Sequence, residues 1–303
     1  MAGSRLGRLA RSLTARGPSG GDAEGGLTGS REAGSEHGLW GHDRQVPDCP
    51  TGWELKPPDF VGIGAPRAGT SWWFRDALQQ HPRVVTAPGR DKEIHFFDRF
   101  AAEAVDPDLA ERYARFFPRP RGCIAGEWTP DYMYSPWNLS LLEKAAPEAR
   151  FLIMLRDPVE RFRSEVSPAL RGLAESGLNA LTSLSVGNCI FHSAYEMPVR
   201  RAIEAFGRDR VLILQYERCQ REPLSEIRRT QRFLGLDEVA SLPPGLEVRE
   251  RSQQRIFPSE KFELPTWTDE HLVAALTGDV RNLVDLCPNE IDVDLWPNFR
   301  HAF

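Results

Sequence analysis

The sequence predicts an α/β fold, a parallel sheet with helices on both faces, in one domain. Three observations predict it. The runs Phe60–Gly64, Arg150–Leu155 and Val211–Gln215 are almost wholly apolar and do not alternate with polar residues, which suits strands buried on both faces. Patterns of helical period interleave with them. The first run leads directly into Gly64-Ala-Pro-Arg-Ala-Gly69-Thr70-Ser71, a glycine-rich turn of the kind that joins a strand to a helix around an anion.

The elements follow in order. Residues 1–52 are rich in Gly, Ser, Arg and Glu with little apolar periodicity, and read as a disordered tail ahead of a 53–303 domain. Phe60–Gly64 reads as a strand and Thr70–Gln80 as a helix that stops at His81-Pro82. Arg83–Ala87 and Ile124–Trp128 read as further strands. A helix is expected over Ser135–Ala146, then the strand Arg150–Leu155 and a helix from Pro158. The stretch 173–190 reads as irregular, the natural place for a substrate lid. A helix near Tyr195–Phe206, the strand Val211–Gln215, a helix over Leu224–Leu234 ending at Gly235 and a last helix near Asp269–Leu286 complete the pattern.

Bulk composition narrows the partners. The chain has 303 residues, a formal charge of −5, 41% hydrophobic and 27% charged residues. That balance argues against a nucleic-acid binder, which is usually basic overall. The five cysteines form no C-x-x-C pair, so a zinc site or disulfide framework is not expected, and a reducing compartment is. No apolar run approaches the roughly 18 residues of a membrane span. The expectation is a cytoplasmic protein.

Three segments carry chemistry. In the loop, the glycine spacing is that of the P-loop, G-x-x-x-x-G-K-[ST], but Thr70 replaces the lysine and the cation is Arg67. A P-loop-NTPase-like sheet with this loop suits an anion shorter than a triphosphate, bound by backbone N–H groups, the Thr70 and Ser71 hydroxyls and the fixed charge of Arg67. In Leu155-Arg156-Asp157-Pro158-Val159-Glu160-Arg161-Phe162-Arg163-Ser164, Asp157, Pro158 and Glu160 make a capping-box pattern. Arg156 stands at the C-terminal end of a buried strand, and Ser164 is about 9 Å along the following helix, within reach of the same anion. In Asp91-Lys92-Glu93-Ile94-His95-Phe96-Phe97, with Gly126-Glu127-Trp128-Thr129-Pro130 later, Lys92, Glu93 and His95 form an acid/base and cation set. Taken alone, that third segment reads better as a charged turn (Lys92, Glu93) above a core patch of His95, Phe96 and Phe97. Trp72, Trp73, Trp128, Tyr132 and Tyr134 line a cleft or belong to the core; the sequence leaves that choice open.

In this order, the three segments resemble the sulfotransferases that use 3′-phosphoadenosine 5′-phosphosulfate (PAPS), over roughly Phe60–Leu236. That family's G-x-P-[KR]-x-G-T-[TS] loop matches Gly64–Ser71. Its R-[DN]-P-x-x-R-x-x-S element matches Arg156–Ser164, and the K-E-x-H-F-F of the heparan-sulfate-type branch matches Lys92–Phe97. The resemblance implies that Arg67, Ala68, Gly69, Thr70, Ser71 and Trp72 hold the 5′-phosphosulfate side of PAPS, and that Arg156 and Ser164 hold its 3′-phosphate. It implies Glu93 as general base, with His95 as the other candidate, Arg67 and Lys92 as charge stabilisers, and Lys92, Glu93, Glu127 and Thr129 on the acceptor side. It implies no metal. The chain departs from the family pattern at Arg67, usually lysine; at Trp128, where the heparan-type enzymes have lysine; and in lacking the late Lys/Arg-Gly loop, for which Arg249, Arg251 and Ser252 are the substitutes in view. The expected activity is in-line sulfuryl transfer from PAPS to a hydroxyl or amine of a glycan, lipid or small metabolite. The rivals are a P-loop kinase, which needs a lysine at position 70 and a magnesium-binding acid, and an inactive scaffold of the same fold.

Overall fold

The structure is a computed structural model. It describes residues 46–85, 92–101, 107–166, 186–244 and 266–302, with 36–37, 43–44, 105 and 246. The tail 1–35, most of the stretch read as irregular, and Arg249, Arg251 and Ser252 lie outside the described residues.

The central sheet has five parallel strands: β1 (Phe60–Gly64), β2 (Val84–Val85), β3 (Ile124–Trp128), β4 (Arg150–Leu155) and β5 (Val211–Gln215). Their order is β2-β3-β1-β4-β5. β1 is therefore central, and the chain passes to one side of it for β3 and to the other for β4. In parallel sheets the crevice at such a reversal, outside the carboxyl ends of the strands, is where ligands bind. The apolar runs explain the placement: every residue of β1 and β5, and all of β4 after Arg150, is buried. Phe60 pairs in register with Gly126 on one side and Arg150 on the other, and the β1–β4 register slips between Gly62 and Gly64.

Helices flank the sheet. The run after the glycine-rich loop, α1, passes through three geometries: Thr70–Trp72 is α-helical, Trp73–Ala77 is π-helical and Leu78–Gln80 is a 3-10 turn. It stops at His81, which is extended (φ −79, ψ 129) because Pro82 disfavours a helical residue before it. Next come α2 (Leu109–Ala114), α3 (Pro136–Ala145), α4 (158–166), α5 (186–191) and α6 (Glu196–Phe206). They are followed by α7 (Tyr216–Arg221), α8 (Pro223–Leu234) and α9 (Thr266–Leu286). Proline opens α3 and α8 within their first turn, where its missing N–H costs nothing. Gly235 closes α8 in the left-handed conformation, φ 71. The structure departs from the expected elements at α2 and α7, at the short antiparallel pair Glu54–Leu55 and Pro118–Arg119, and at α5, where part of the stretch read as irregular is helical. The Val186-Gly-Asn-Cys-Ile-Phe sequence of α5 has no cap or period that announces a helix.

Packing around β1 leaves no room for side chains at two glycines. A Cβ on Gly62 would fall inside the Trp128 ring, and one on Gly64 would overlap Met133. Trp128 is fully buried and its Nε1 donates to the Gly64 carbonyl at 3.1 Å. Trp73 and Tyr132 are fully buried as well and Trp72 nearly so, which puts these aromatics in the core.

Candidate active site

The loop at the end of β1 presents unused donors. Among the described residues, no carbonyl takes the N–H groups of Arg67, Gly69, Thr70 or Ser71; only Ala65 and Ala68 are engaged, donating to Met154 and Ala65 carbonyls at 2.8 and 3.3 Å. A helix start leaves its first N–H groups without intrahelical partners, so the turn offers them to a ligand. Gly69, at φ 92, takes a left-handed conformation, and a Cβ there would run into the Tyr216 ring. Thr70 is buried, Ser71 half-buried, and the Arg67 side chain exposed. Trp72 packs edge-on against Tyr216, ring centres 5.6 Å apart.

The Arg156–Ser164 segment meets this loop directly. Arg67 Nε donates to the Ser164 carbonyl at 3.2 Å, and Arg156 Nη1 donates to the Arg67 carbonyl at 3.4 Å. The Arg156 guanidinium lies over the Tyr216 ring, 5.1 Å from its centre. The two anion-binding segments expected from the sequence are therefore neighbours at the carboxyl ends of β1 and β4. Asp157 caps α4 as expected, accepting from Val159 and Glu160 N–H at 2.9 and 3.3 Å. The reciprocal half of the capping box differs: Asp157 N–H donates to Glu217, at 2.9 Å, while Glu160 pairs with Arg156 and Arg163. Glu217 also accepts from Trp296 Nε1 at 2.9 Å, and burial pushes its carboxyl up to about 7 against these bonds.

The Lys92–Phe97 segment is held by the segment after β3. Consecutive N–H groups of Glu93, Ile94, His95 and Phe96 donate to Trp128 O, Glu127 Oε2, Thr129 Oγ1 and Tyr132 OH, at 3.1, 3.1, 3.3 and 2.8 Å. Glu127 is buried, and its carboxylate also accepts from the Tyr113 and Tyr132 hydroxyls and from Thr129 Oγ1, at 2.8, 3.2 and 2.5 Å. Burial raises its pKa, and these bonds oppose the rise. Glu127 and Thr129, expected to face the acceptor, thus have their side chains taken up within the protein, behind the segment that carries Glu93. This differs from the expectation, and the physical reason is that an N–H buried in this bend needs an acceptor.

Glu93 is exposed and forms an ion pair with Lys92, whose side chain is almost wholly covered. Burial lowers the Lys92 pKa, and Glu93 works against that. His95 Nδ1 lies 2.7 Å from Asp98 Oδ2; burial pulls the imidazole down, but the bond and charge of Asp98 outweigh it and its pKa is raised. Asp131, whose pKa burial raises, shares this neighbourhood with His95, His192, Asp98 and Glu93. Arg67, Glu93 and His95 are the residues other than glycine with positive φ among those described, at 63, 62 and 54. Such conformers cost energy and collect at functional sites. Sequence reasoning gave no role to Asp98, which closes the Asp91–Asp98 segment three residues beyond His95, or to Tyr216, seen only as part of the family resemblance after β5.

The comparisons with known proteins agree with this geometry. A profile described as the sulfotransferase family matches residues 95–240. Over that stretch this chain is similar to the sulfotransferases. It is 32% identical over 109 residues to the membrane-associated sulfotransferase kil1 of Dictyostelium discoideum, covering 36% of this chain and 22% of that one. It is 26% identical over 192 residues to heparan sulfate glucosamine 3-O-sulfotransferase 3B1 of Mus musculus, covering 60% and 47%. It thus spans less than half the length of either. In structure it resembles a sulfotransferase from Alicyclobacillus acidocaldarius, with TM-score 0.57 and 24% identity over 79% of this chain and 98% of that one. The sulfotransferase fold is the one expected from the sequence.

Proposed function

We propose that this protein transfers the sulfuryl group of PAPS, in line, to a hydroxyl or amine of an acceptor, with Glu93 as general base. The observation that carries the proposal is the juxtaposition at the carboxyl ends of β1 and β3. There a loop with four unengaged N–H groups and Arg67 adjoins a bend that holds Glu93 exposed. The acceptor oxygen or nitrogen forms a bond to sulfur as the bond from sulfur to the bridging phosphate oxygen breaks. Adenosine 3′,5′-bisphosphate (PAP) leaves, and Glu93 takes the acceptor's proton, a contribution of about 10²–10⁴-fold. The Arg67 charge, the Thr70 and Ser71 hydroxyls and the loop amides meet the charge that builds on the leaving phosphate. Arg156 and Ser164 take the 3′-phosphate. Lys92 steadies Glu93, and Glu127 and Thr129 act by fixing the bend.

The acceptor side of the site carries the carboxylates of Glu93, Asp98 and Asp131 against Lys92 and His95, and Trp128 is spent in the core. That balance favours an acceptor without dense negative charge. Radiolabelled PAPS offered with unsulfated glycans, lipids and small alcohols or amines is expected to give more product than with heparan sulfate. The decisive test is nucleotide binding and turnover together. PAP should protect the protein from thermal unfolding and ATP–magnesium should not. Glu93→Gln should abolish turnover while leaving PAP affinity nearly intact. Turnover that survives in Glu93→Gln makes His95 the base; protection by ATP–magnesium in place of PAP removes the sulfotransferase reading. Chelator is expected to leave turnover unchanged.

A further inference from the structure

We infer that Arg161 is a positioning residue for the loop cation Arg67, and that it ties the loop to the wall formed by residues 186–194. The inference rests on the reading of the site as a PAPS site. Arg161 is fully buried and lies three residues before Ser164 on α4, one turn away on the same face. Its guanidinium uses its whole fork. Nη1 donates to Glu165 at 2.6 Å and to the Pro66 carbonyl at 3.4 Å, Nε donates to Ser193 Oγ at 2.9 Å, and Nη2 donates to the Cys189 carbonyl. A lysine has no such planar set of donors.

The Pro66 carbonyl belongs to the peptide unit before the Arg67 Cα, and the Arg67 carbonyl, which Arg156 holds, to the unit after it. Both peptide planes that define the Arg67 backbone are therefore held by arginines of one motif. Arg67 needs this. At φ 63 it occupies a conformation that a side-chain-bearing residue leaves readily unless its surroundings fix it. A buried ion pair such as Arg161–Glu165 is a weak source of stability compared with apolar packing, so a positional role accounts for it better than a stabilising one. Glu165 extends the tie: His192 Nδ1 is 2.9 Å from its other oxygen, and Tyr134 OH donates to the His192 carbonyl at 2.6 Å. Burial alone raises the Glu165 carboxyl, but His192 and Arg161 outweigh burial and bring it to about 2, so the pair stays charged.

A double-mutant cycle tests this on the full chain. PAPS turnover is followed with water as acceptor, which yields PAP and sulfate, and PAP affinity and thermal stability are measured beside it. Arg161→Lys is expected to lower turnover about 100-fold, the cost of a misplaced catalytic group, with PAP affinity little changed. Arg67→Lys also lowers turnover. The double variant is expected to fall no further than the worse single one, because Arg161 acts through Arg67. Costs that multiply, or near-wild-type turnover in Arg161→Lys, overturn the inference. If Arg161→Lys does not fold, Ser193→Ala removes the Nε acceptor alone and should show the same non-additivity with Arg67→Lys in milder form; additivity there overturns it equally. A wild-type protein that neither binds PAP nor turns over PAPS sinks the function proposed above and this inference with it. An active wild type with an additive cycle sinks only this one.

Discussion

At the scale of single residues, strain and chemistry coincide: the left-handed residues Arg67, Glu93 and His95 are those expected from the sequence to act on the reaction. Each is held by bonds to its own backbone, so the site depends on neighbours that touch no substrate. Thr129→Val is the test at this scale. It keeps the side-chain shape but leaves the His95 N–H without its acceptor and takes one of two donors from Glu127 Oε2, which keeps the Ile94 N–H. A buried group so stranded costs about 1–3 kcal/mol. Turnover is expected to drop by about tenfold or more while PAP affinity holds; equal losses in both would mean that Thr129 contacts the nucleotide side instead. The sequence made these candidates legible because their types announce charge and proton transfer. It did not reveal that Glu127 and Thr129 serve the backbone of Glu93–Phe96, since a carboxylate that binds substrate and one that accepts N–H bonds are the same letter.

At the scale of elements, the strands were legible and the turns less so. Phe60–Gly64, Ile124–Trp128, Arg150–Leu155 and Val211–Gln215 run as expected because burial on both faces removes polar residues from a strand. The helix 186–191 and the short α2 and α7 were missed because tertiary contacts, not period or caps, hold them. Two glycines give a sharp test of the packing. Gly62→Ala should destabilise the fold by about 1–3 kcal/mol as an overpacked core does, and Trp128→Leu in the same chain should recover part of it; thermal unfolding reads both. A second prediction concerns pH and the N-terminus of α4. Burial raises the Glu217 carboxyl from 4.5 to about 7. Between those values the folded state keeps a proton that the unfolded chain has released. This contribution to stability is therefore complete below pH 4.5 and lost by pH 7, up to about 3 kcal/mol. Glu217→Gln should flatten that slope in melts taken across the window. An unchanged slope would assign it to Glu127, Asp131, Asp157 or Asp279, whose carboxyls burial also raises.

At the scale of the molecule, the sheet order β2-β3-β1-β4-β5 brings the loop, the Arg156 segment and the Glu93 segment to one edge. Residues far along the chain complete the arrangement: Asn298 bonds the Asp157 carboxylate through N–H and Nδ2 at 3.1 and 2.9 Å, and Trp296 reaches Glu217. Removing residues 292–302 is therefore expected to weaken PAP binding through loss of these bonds to Asp157 and Glu217, and Arg300→Ala alone is expected to leave it unchanged; calorimetric titration with PAP measures both, and an unchanged affinity on removal would show that the cap of α4 does not govern the site. The row of four bonds between residues 93–96 and residues 127–132 has a consequence for engineering. The two segments behave as a matched cassette, in which every second-half acceptor has a first-half donor. Swapping Lys92–Phe97 alone into another protein of this fold would carry the proposed base without its ledge, whereas exchanging both together would keep the bend that holds it. The thirty residues between them are no free spacer: Tyr113 donates to Glu127 and Asp98 pairs with His95, so an exchange that keeps the match has to keep these two as well.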